Sequence, residues 1–217
     1  MINGEQVLAI IPARGGSKRF PRKNLALFRG SPLVSWAIRV AACSQYIDEC
    51  VVSTEDAEIK TLALSHGCEV IDRAPELATD EARIEDVLRH VMQNTIWYDW
   101  IILLQPTSPL RTAYDIDTCL ELAQGHNGCV SLRKSTLKKN GAVYVARARW
   151  LLDGNNFDKP FPVDYLMPEE RSLDVDFAEQ LNTGANCFKC GAKLILQGAY
   201  EVCPTHGRQW MPKIRLP

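Results

Sequence analysis

Short, unbroken apolar runs alternate along this chain with stretches whose apolar residues recur every three to four positions. Residues 7–11 form the first run, closed by Pro12, and predict a buried strand. From Pro32 onward, Leu33, Trp36, Ala37 and Val40 keep helical spacing, with the proline suited to a first turn. A second strand is expected over 50–52, a helix over 57–66 ending at Gly67, and a third strand over 69–71. The same reading places a helix over 84–94, a strand over 100–104, a helix over about 114–124, and strands over 128–132 and 142–146. After about Leu152 the pattern loosens, and Pro160, Pro162 and Pro168 predict loops. Alternation of this kind predicts an α/β domain whose mainly parallel sheet is covered on both faces.

Composition narrows the reading. The chain has 217 residues, 46% of them hydrophobic and 24% charged, which suits one domain with a proper core and a small appendage. Its formal net charge of −1 gives no basic footprint for nucleic acid, so any polyanion must be gripped by a local site. No apolar run approaches the roughly 18–20 residues that span a bilayer, and Met1 to Gln6 lacks a signal-like start. A cytoplasmic protein with no membrane partner is expected.

Candidate chemistry begins where the first strand ends. The loop Ala13-Arg14-Gly15-Gly16-Ser17-Lys18-Arg19-Phe20-Pro21-Arg22-Lys23-Asn24 leaves a strand terminus, where open α/β sheets bind ligands. Gly15 and Gly16 let backbone N–H groups turn toward an anion, and Arg14, Lys18 and Lys23 supply charge for a polyphosphate. A solvated basic loop is the plainer alternative, and neither a Walker loop nor a dinucleotide fingerprint is present. Asp174 and Asp176, one residue apart, would project to the same side of a strand and could address one magnesium ion. Exposed strands carry such pairs without any metal, so spacing alone leaves both readings open.

Ordered motifs carry a resemblance. The run Ile10-Ile11-Pro12-Ala13-Arg14-Gly15-Gly16-Ser17-Lys18, with Pro21 and Lys23-Asn24, resembles the signature loop of CMP-sialic acid synthetases and their pseudaminic and legionaminic acid relatives. Val52-Ser53-Thr54-Glu55-Asp56, the segment from Asp72 to Asp80, Leu103-Leu104-Gln105-Pro106-Thr107-Ser108-Pro109-Leu110-Arg111, Asn140-Gly141-Ala142-Val143-Tyr144 and Ser172-Leu173-Asp174-Val175-Asp176 follow in the family's order. The resemblance implies a Rossmann-like, mononucleotide-binding three-layer sandwich over residues 1–181. It also implies transfer of CMP from CTP to an acidic nine-carbon keto sugar, with release of pyrophosphate and magnesium on Asp174 and Asp176. Arg14, Lys23 and Asn24 then fall at triphosphate or ribose positions, with Ala13, Gly15, Ser17 and Lys18 in the same loop. Arg73 falls at a base position beside the backbone of Ala82, and Gln105 on the sugar side. Without that resemblance, Arg73 reads as a salt-bridge partner of Asp72 or Glu76, and Gln105 as a strand-end residue satisfied locally.

Arg83-Ile84 stands where relatives often have small hydroxyl residues, and two further features stand apart from the family pattern. Between Val130 and Asn140 only a short basic loop is expected, with Arg133, Lys134, Lys138 and Lys139, where relatives carry the excursion that builds a homodimer. In residues 182–217, Cys187-Phe188-Lys189-Cys190 and Cys203-Pro204-Thr205-His206 form two pairs at zinc-ligand spacing, each followed by glycine. A closed four-ligand structural zinc site on a zinc-ribbon-like hairpin is expected, with reduced, metal-free cysteines as the alternative. Activation of the eight-carbon keto-deoxy sugar of lipopolysaccharide is the rival enzymatic reading. An inactive nucleotide-binding scaffold is the rival from another class.

Overall fold

The structure, a computed structural model, describes residues 1–158, 160–161, 163–182, 195–197, 200–203 and 207–208. A seven-stranded sheet has the order β5-β4-β1-β6-β8-β7-β9. Its strands are β1 (Val7–Pro12), β4 (Glu49–Thr54), β5 (Glu69–Asp72), β6 (Trp100–Leu103), β7 (Gly128–Arg133), β8 (Lys138–Arg147) and β9 (Asp164–Met167). Only β8 runs against the other six, since it pairs antiparallel with both β6 and β7. A small ladder, β2 (Leu27–Phe28) with β3 (Ser31–Pro32), follows the first loop. Residues 195–197, 200–203 and 207–208 form strands β10 to β12 of a separate antiparallel sheet.

Alternation along the central strands explains the solid apolar runs. Val7, Ala9 and Ile11 of β1 join one core, and Leu8 and Ile10 join the other. Trp100 and Ile102 of β6 divide from Ile101 and Leu103 in the same way. The first core is covered by α1 (Leu33–Ala42), α2 (Ala57–Ser65) and α4 (Ala113–Leu122). The second is covered by α3 (Ile84–Gln93) and α5 (Ala148–Leu152). The result is a three-layer α/β/α sandwich of Rossmann-like type, and both faces of a strand must then be apolar. Among the described residues no helix is long and apolar enough to cross a membrane.

Three expectations need correction. Residues 131–139 are not an open loop, because β7 and β8 form a hairpin whose turn holds Leu137 at φ 57°. Residues 164–167, expected to be loop, add a parallel edge strand to β7. Asp174 and Asp176 lie on an extended segment outside any strand. That segment is pinned by the Val175 N–H, which donates to the Thr107 carbonyl at 2.8 Å. Val175 is buried with Phe28 and Leu33, so the alternation expected of a strand persists without a ladder.

Asp115 ties the added edge to the body. Fully buried at the start of α4, it caps with Thr112 and accepts from Tyr165 Oη at 2.8 Å and from both Nε and Nη2 of Arg171. Removing one partner of such a pair leaves the other charge uncompensated. Asp115→Ala is therefore expected to lower stability by about 3 kcal/mol, read as an earlier urea midpoint at unchanged slope.

Candidate active site

Strand order reverses between β1 and β6: the chain builds outward from β1 through β4 to β5, then returns to place β6 on the other side. Loops leaving the carboxyl ends of β1 and β6 diverge there, and a cleft of about 290 Å³ opens between them. Pro12, Arg14, Ser17, Lys23 and Asn24 line it from the first loop, Arg73, Leu77, Thr79, Asp80, Ala82, Ile84 and Val87 from the segment after β5, and Gln105, Pro106 and Thr107 from the end of β6. Asp174 and Asp176 close one wall. Nine residues singled out in the sequence thus share one cavity: Arg14, Ser17, Lys23, Asn24, Arg73, Ala82, Gln105, Asp174 and Asp176. Ala13, Gly15 and Lys18 are not among its lining residues.

Each of those three has another place. Ala13 is buried and continues the β1–β4 ladder through the Ser53 carbonyl at 2.9 Å. Gly15 does not aim its N–H into the cleft, since it donates to Glu55 Oε1 at 2.7 Å. What demands glycine at this position is proximity, because a Cβ there would lie 2.5 Å from Asp56 Oδ2. Asp56 is occupied in capping α2, where Oδ1 accepts from the N–H groups of Glu58 and Ile59. Lys18 points outward and pairs with Asp80 at 2.7 Å, which raises its ammonium pKa and lowers that of the Asp80 carboxyl. Arg14 engages the same carboxylate, while Asn24 Nδ2 donates to the Arg14 carbonyl at 2.9 Å.

Arg73 contacts neither Asp72 nor Glu76. Its Nη2 donates to the Ser53 carbonyl at 2.7 Å and its Nε to Ser53 Oγ at 3.2 Å. Burial lowers its pKa to about 10, so it stays charged at neutral pH while fixed at the end of β4. Two residues of the basic hairpin are likewise engaged, while Lys134 and Lys138 are exposed. Arg133 pairs with Glu169 at 2.8 Å and donates to the Ser172 carbonyl at 2.7 Å, and Lys139 donates to the Phe157 carbonyl.

The carboxylate wall has its own scaffold. Gln180 accepts from the N–H groups of Asp176 and Phe177 and donates to the Asp174 carbonyl at 2.9 Å, which sets the backbone between the two aspartates. Lys23 Nζ sits 3.3 Å from Asp176 Oδ1. Burial raises the Asp174 carboxyl above the ordinary range, while Thr107 and Lys23 pull it back and Asp176 pushes it further up. Two carboxylates facing one cavity, one of them desolvated, form a pair that a hard cation would relieve. Among the described residues no three His, Cys, Asp or Glu side chains form a cluster that could hold a metal ion.

Several lining residues were not assigned a role from the sequence: Asp80, Thr79, Thr107, Ile84 and Val87. Asp80 and Thr107 lie inside motif runs already noted, but nothing in their spacing reveals which ions they meet.

A family model described as Cytidylyltransferase matches residues 8–147. Those bounds run from β1 to the last residue of β8 and take in the first basic loop and Gln105. The chain belongs to the CMP-sialic acid synthetase family of cytidylyltransferases. It is 30% identical to the CMP-N,N'-diacetyllegionaminic acid synthase of Legionella pneumophila, over 79% of this chain and 91% of that one. It is 28% identical to the N-acylneuraminate cytidylyltransferase of Escherichia coli O18:K1:H7, spanning 79% of this chain but about half, 49%, of that relative. Among solved structures, a CMP:2-keto-3-deoxy-manno-octonic acid synthetase complexed with CTP superposes with a TM-score of 0.66 at 19% identity, covering 81% of this chain and 95% of that one. At that identity the likeness is one of fold.

Asp174 supplies a prediction for this cytidylyltransferase site. Because its folded-state pKa is raised, the folded chain holds that proton more tightly than the unfolded chain, and the ionised carboxylate opposes folding at neutral pH. Asp174→Asn should therefore melt higher, by about 2–4 °C for each 1 kcal/mol regained. The margin over wild type should shrink as pH falls through the raised pKa. A lower melting temperature for the variant would mean that the contacts with Thr107 and Lys23 outweigh the burial.

Proposed function

We propose that this chain transfers CMP from CTP to the anomeric hydroxyl of an acidic nine-carbon keto sugar of the sialic acid type, releasing pyrophosphate. The observation that carries the reading is the cleft at the strand-order reversal, which gathers Arg14, Lys23 and Arg73 in one cavity with Asp174, Asp176 and the Gln105 amide. The relatives named above support the nine-carbon acceptor, whereas the likeness to the eight-carbon sugar's synthetase rests on fold.

In this reading Arg14 and Lys23 neutralise the triphosphate as Asp80 gives up its hold on Arg14. Asn24 keeps the loop in place through the Arg14 carbonyl, and Arg73, beside Ala82, meets the base or ribose. Gln105 orients the acceptor so that its hydroxyl oxygen faces the α-phosphorus. A phosphorus–oxygen bond forms to the sugar as the bond to pyrophosphate breaks, and the hydroxyl proton passes to water. Asp174 and Asp176 would hold a magnesium ion, which when bound supplies positive charge to the phosphate oxygens.

Pyrophosphate release from CTP, magnesium and a panel of nine-carbon acidic keto sugars tests the reading. One sugar should support turnover, and Asp174→Asn should reduce it by about 100-fold or more. Turnover with the eight-carbon sugar alone would move the acceptor to the rival class. CTP binding with no turnover on any sugar would favour the scaffold.

For the tail, we infer a structural zinc ion held by Cys187, Cys190, Cys203 and His206, on the ligand spacing alone. Cys187, Cys190 and His206 lie outside the described residues, and Cys203 ends β11. Elemental analysis of the purified chain should find about one zinc per molecule, lost in Cys187→Ser. Full purity with no zinc would rule the site out.

A further inference from the structure

Arg111 ends the motif run that begins at Leu103, yet nothing in the reaction above uses it. Its side chain is 4% exposed, and among the described residues no carboxylate pairs with it. Nη1 donates to the Ala142 carbonyl and Nη2 to the Gln105 carbonyl, both at 2.6 Å, while Nε is buried without a partner. Burial lowers its pKa to about 9, so the group is still a cation at neutral pH. A buried cation bonded only to two neutral carbonyls is costly, and its position asks for an explanation.

The two carbonyls supply one. Pairing of β7 with β8 breaks between Val130 and Leu132: Val130 faces Tyr144 and Leu132 faces Lys139, so Ser131 stands opposite the four residues from Asn140 to Val143. This is a large bulge, and such bulges bend a strand and redirect what it carries. The Ser131 and Asn140 side chains satisfy much of its backbone: Val143 N donates to Ser131 Oγ at 2.9 Å and Ala142 N to Asn140 Oδ1 at 3.2 Å. Pairing with β6 stops at Tyr144, so the Ala142 carbonyl lies beyond that ladder and is taken by Arg111. At the crest of the bulge Gly141 has φ +74°, and a Cβ there would lie 2.9 Å from Gln105 Oε1 and 3.4 Å from Asp174 Oδ2. Gln105, Gly141 and Asp174 therefore meet at one corner of the cleft, and Arg111 grips the backbone of two of its three sides.

We propose that Arg111 is a positioning residue for CMP transfer, its guanidinium fork clamping the β8 bulge to the end of β6 and so fixing the corner shared by Gln105, Gly141 and Asp174. The inference rests on the proposed transferase reading and deepens it. A lysine cannot serve, since one ammonium on a flexible stem does not span two carbonyls as a planar fork does. The nucleotide side, held by Arg14, Lys23 and Arg73, lies on other loops and does not depend on this clamp.

Steady-state kinetics of Arg111→Lys, Arg111→Met and Arg111→Ala test the proposal alongside the wild type. The expected result is a fall in kcat of about 100-fold with KM for CTP within about twofold, as a misplaced acceptor corner requires. Millimolar guanidinium should restore part of the kcat of Arg111→Ala and none of that of Arg111→Met. Unchanged kcat would overturn the proposal, as would kcat and CTP affinity falling together without rescue. A wild type that releases no pyrophosphate with any acceptor would defeat the transferase reading instead. Amide hydrogen exchange, which needs no substrate, would then decide: faster exchange confined to residues 105–108 and 141–143 of Arg111→Met upholds the clamp. Uniform acceleration, or none, removes it.

Discussion

The backbone pairing of β1 with β6 is the constraint on which the rest of this molecule depends. These adjacent strands run parallel from Val7 opposite Trp100 to Ile10 opposite Leu103, and the Leu104 N–H extends the ladder to the Ile10 carbonyl. Because the chain has already built β4 and β5 on the far side of β1, the loops after β1 and β6 cannot fill the space between them. Backbone ends left there must find partners outside the sheet, and the cleft is the result. The basic first loop, the segment after β5 and the carboxylate wall all converge on that space because strand pairing leaves it open.

Within the cleft, charges are held by short-range partners rather than by the field of the whole protein, which at a net charge of −1 supplies little. Asp80 holds Arg14 and Lys18 together, Ser53 fixes Arg73, and Gln180 sets the backbone that carries Asp174 and Asp176. The Ser53 and Gln180 contacts thus set the places of Arg73 and of the two aspartates, whereas Arg14 and Lys18 are occupied by Asp80. Partial burial beside Asp176 holds the Asp174 carboxyl above its ordinary pKa, against the opposing pull of Thr107 and Lys23.

The two halves of the cleft are built differently. The side proposed for the nucleotide consists of loops at the ends of parallel strands, the usual device of open α/β sheets. The side proposed for the acceptor adjoins the reversed strand β8, its bulge over 140–143, and the edge strand β9 held by Asp115 and Arg171. A compact hairpin joins β7 to β8, and its Arg133 reaches the Ser172 carbonyl, close to the carboxylate wall.

Local sequence determined a great deal. Solid apolar runs could be stable only as strands covered on both faces, and the caps at Asp56 and Thr112 start helices where periodicity resumes, so the α/β alternation was legible. The ordered motifs pointed to the loop, Arg73, Gln105 and the aspartate pair through their resemblance to the CMP-sialic acid synthetases, since spacing alone left plainer readings open for each. What the sequence left open was every partner chosen across a distance. It could not show that the Gly15 N–H meets Glu55, that Arg73 turns to Ser53 rather than Asp72, that residues 164–167 find an open sheet edge, or that Arg111 bridges Gln105 and Ala142. Periodicity records which face of an element is buried. Hydrogen-bond partners are decided only when elements pack, by which donors and acceptors are left unsatisfied in the interior.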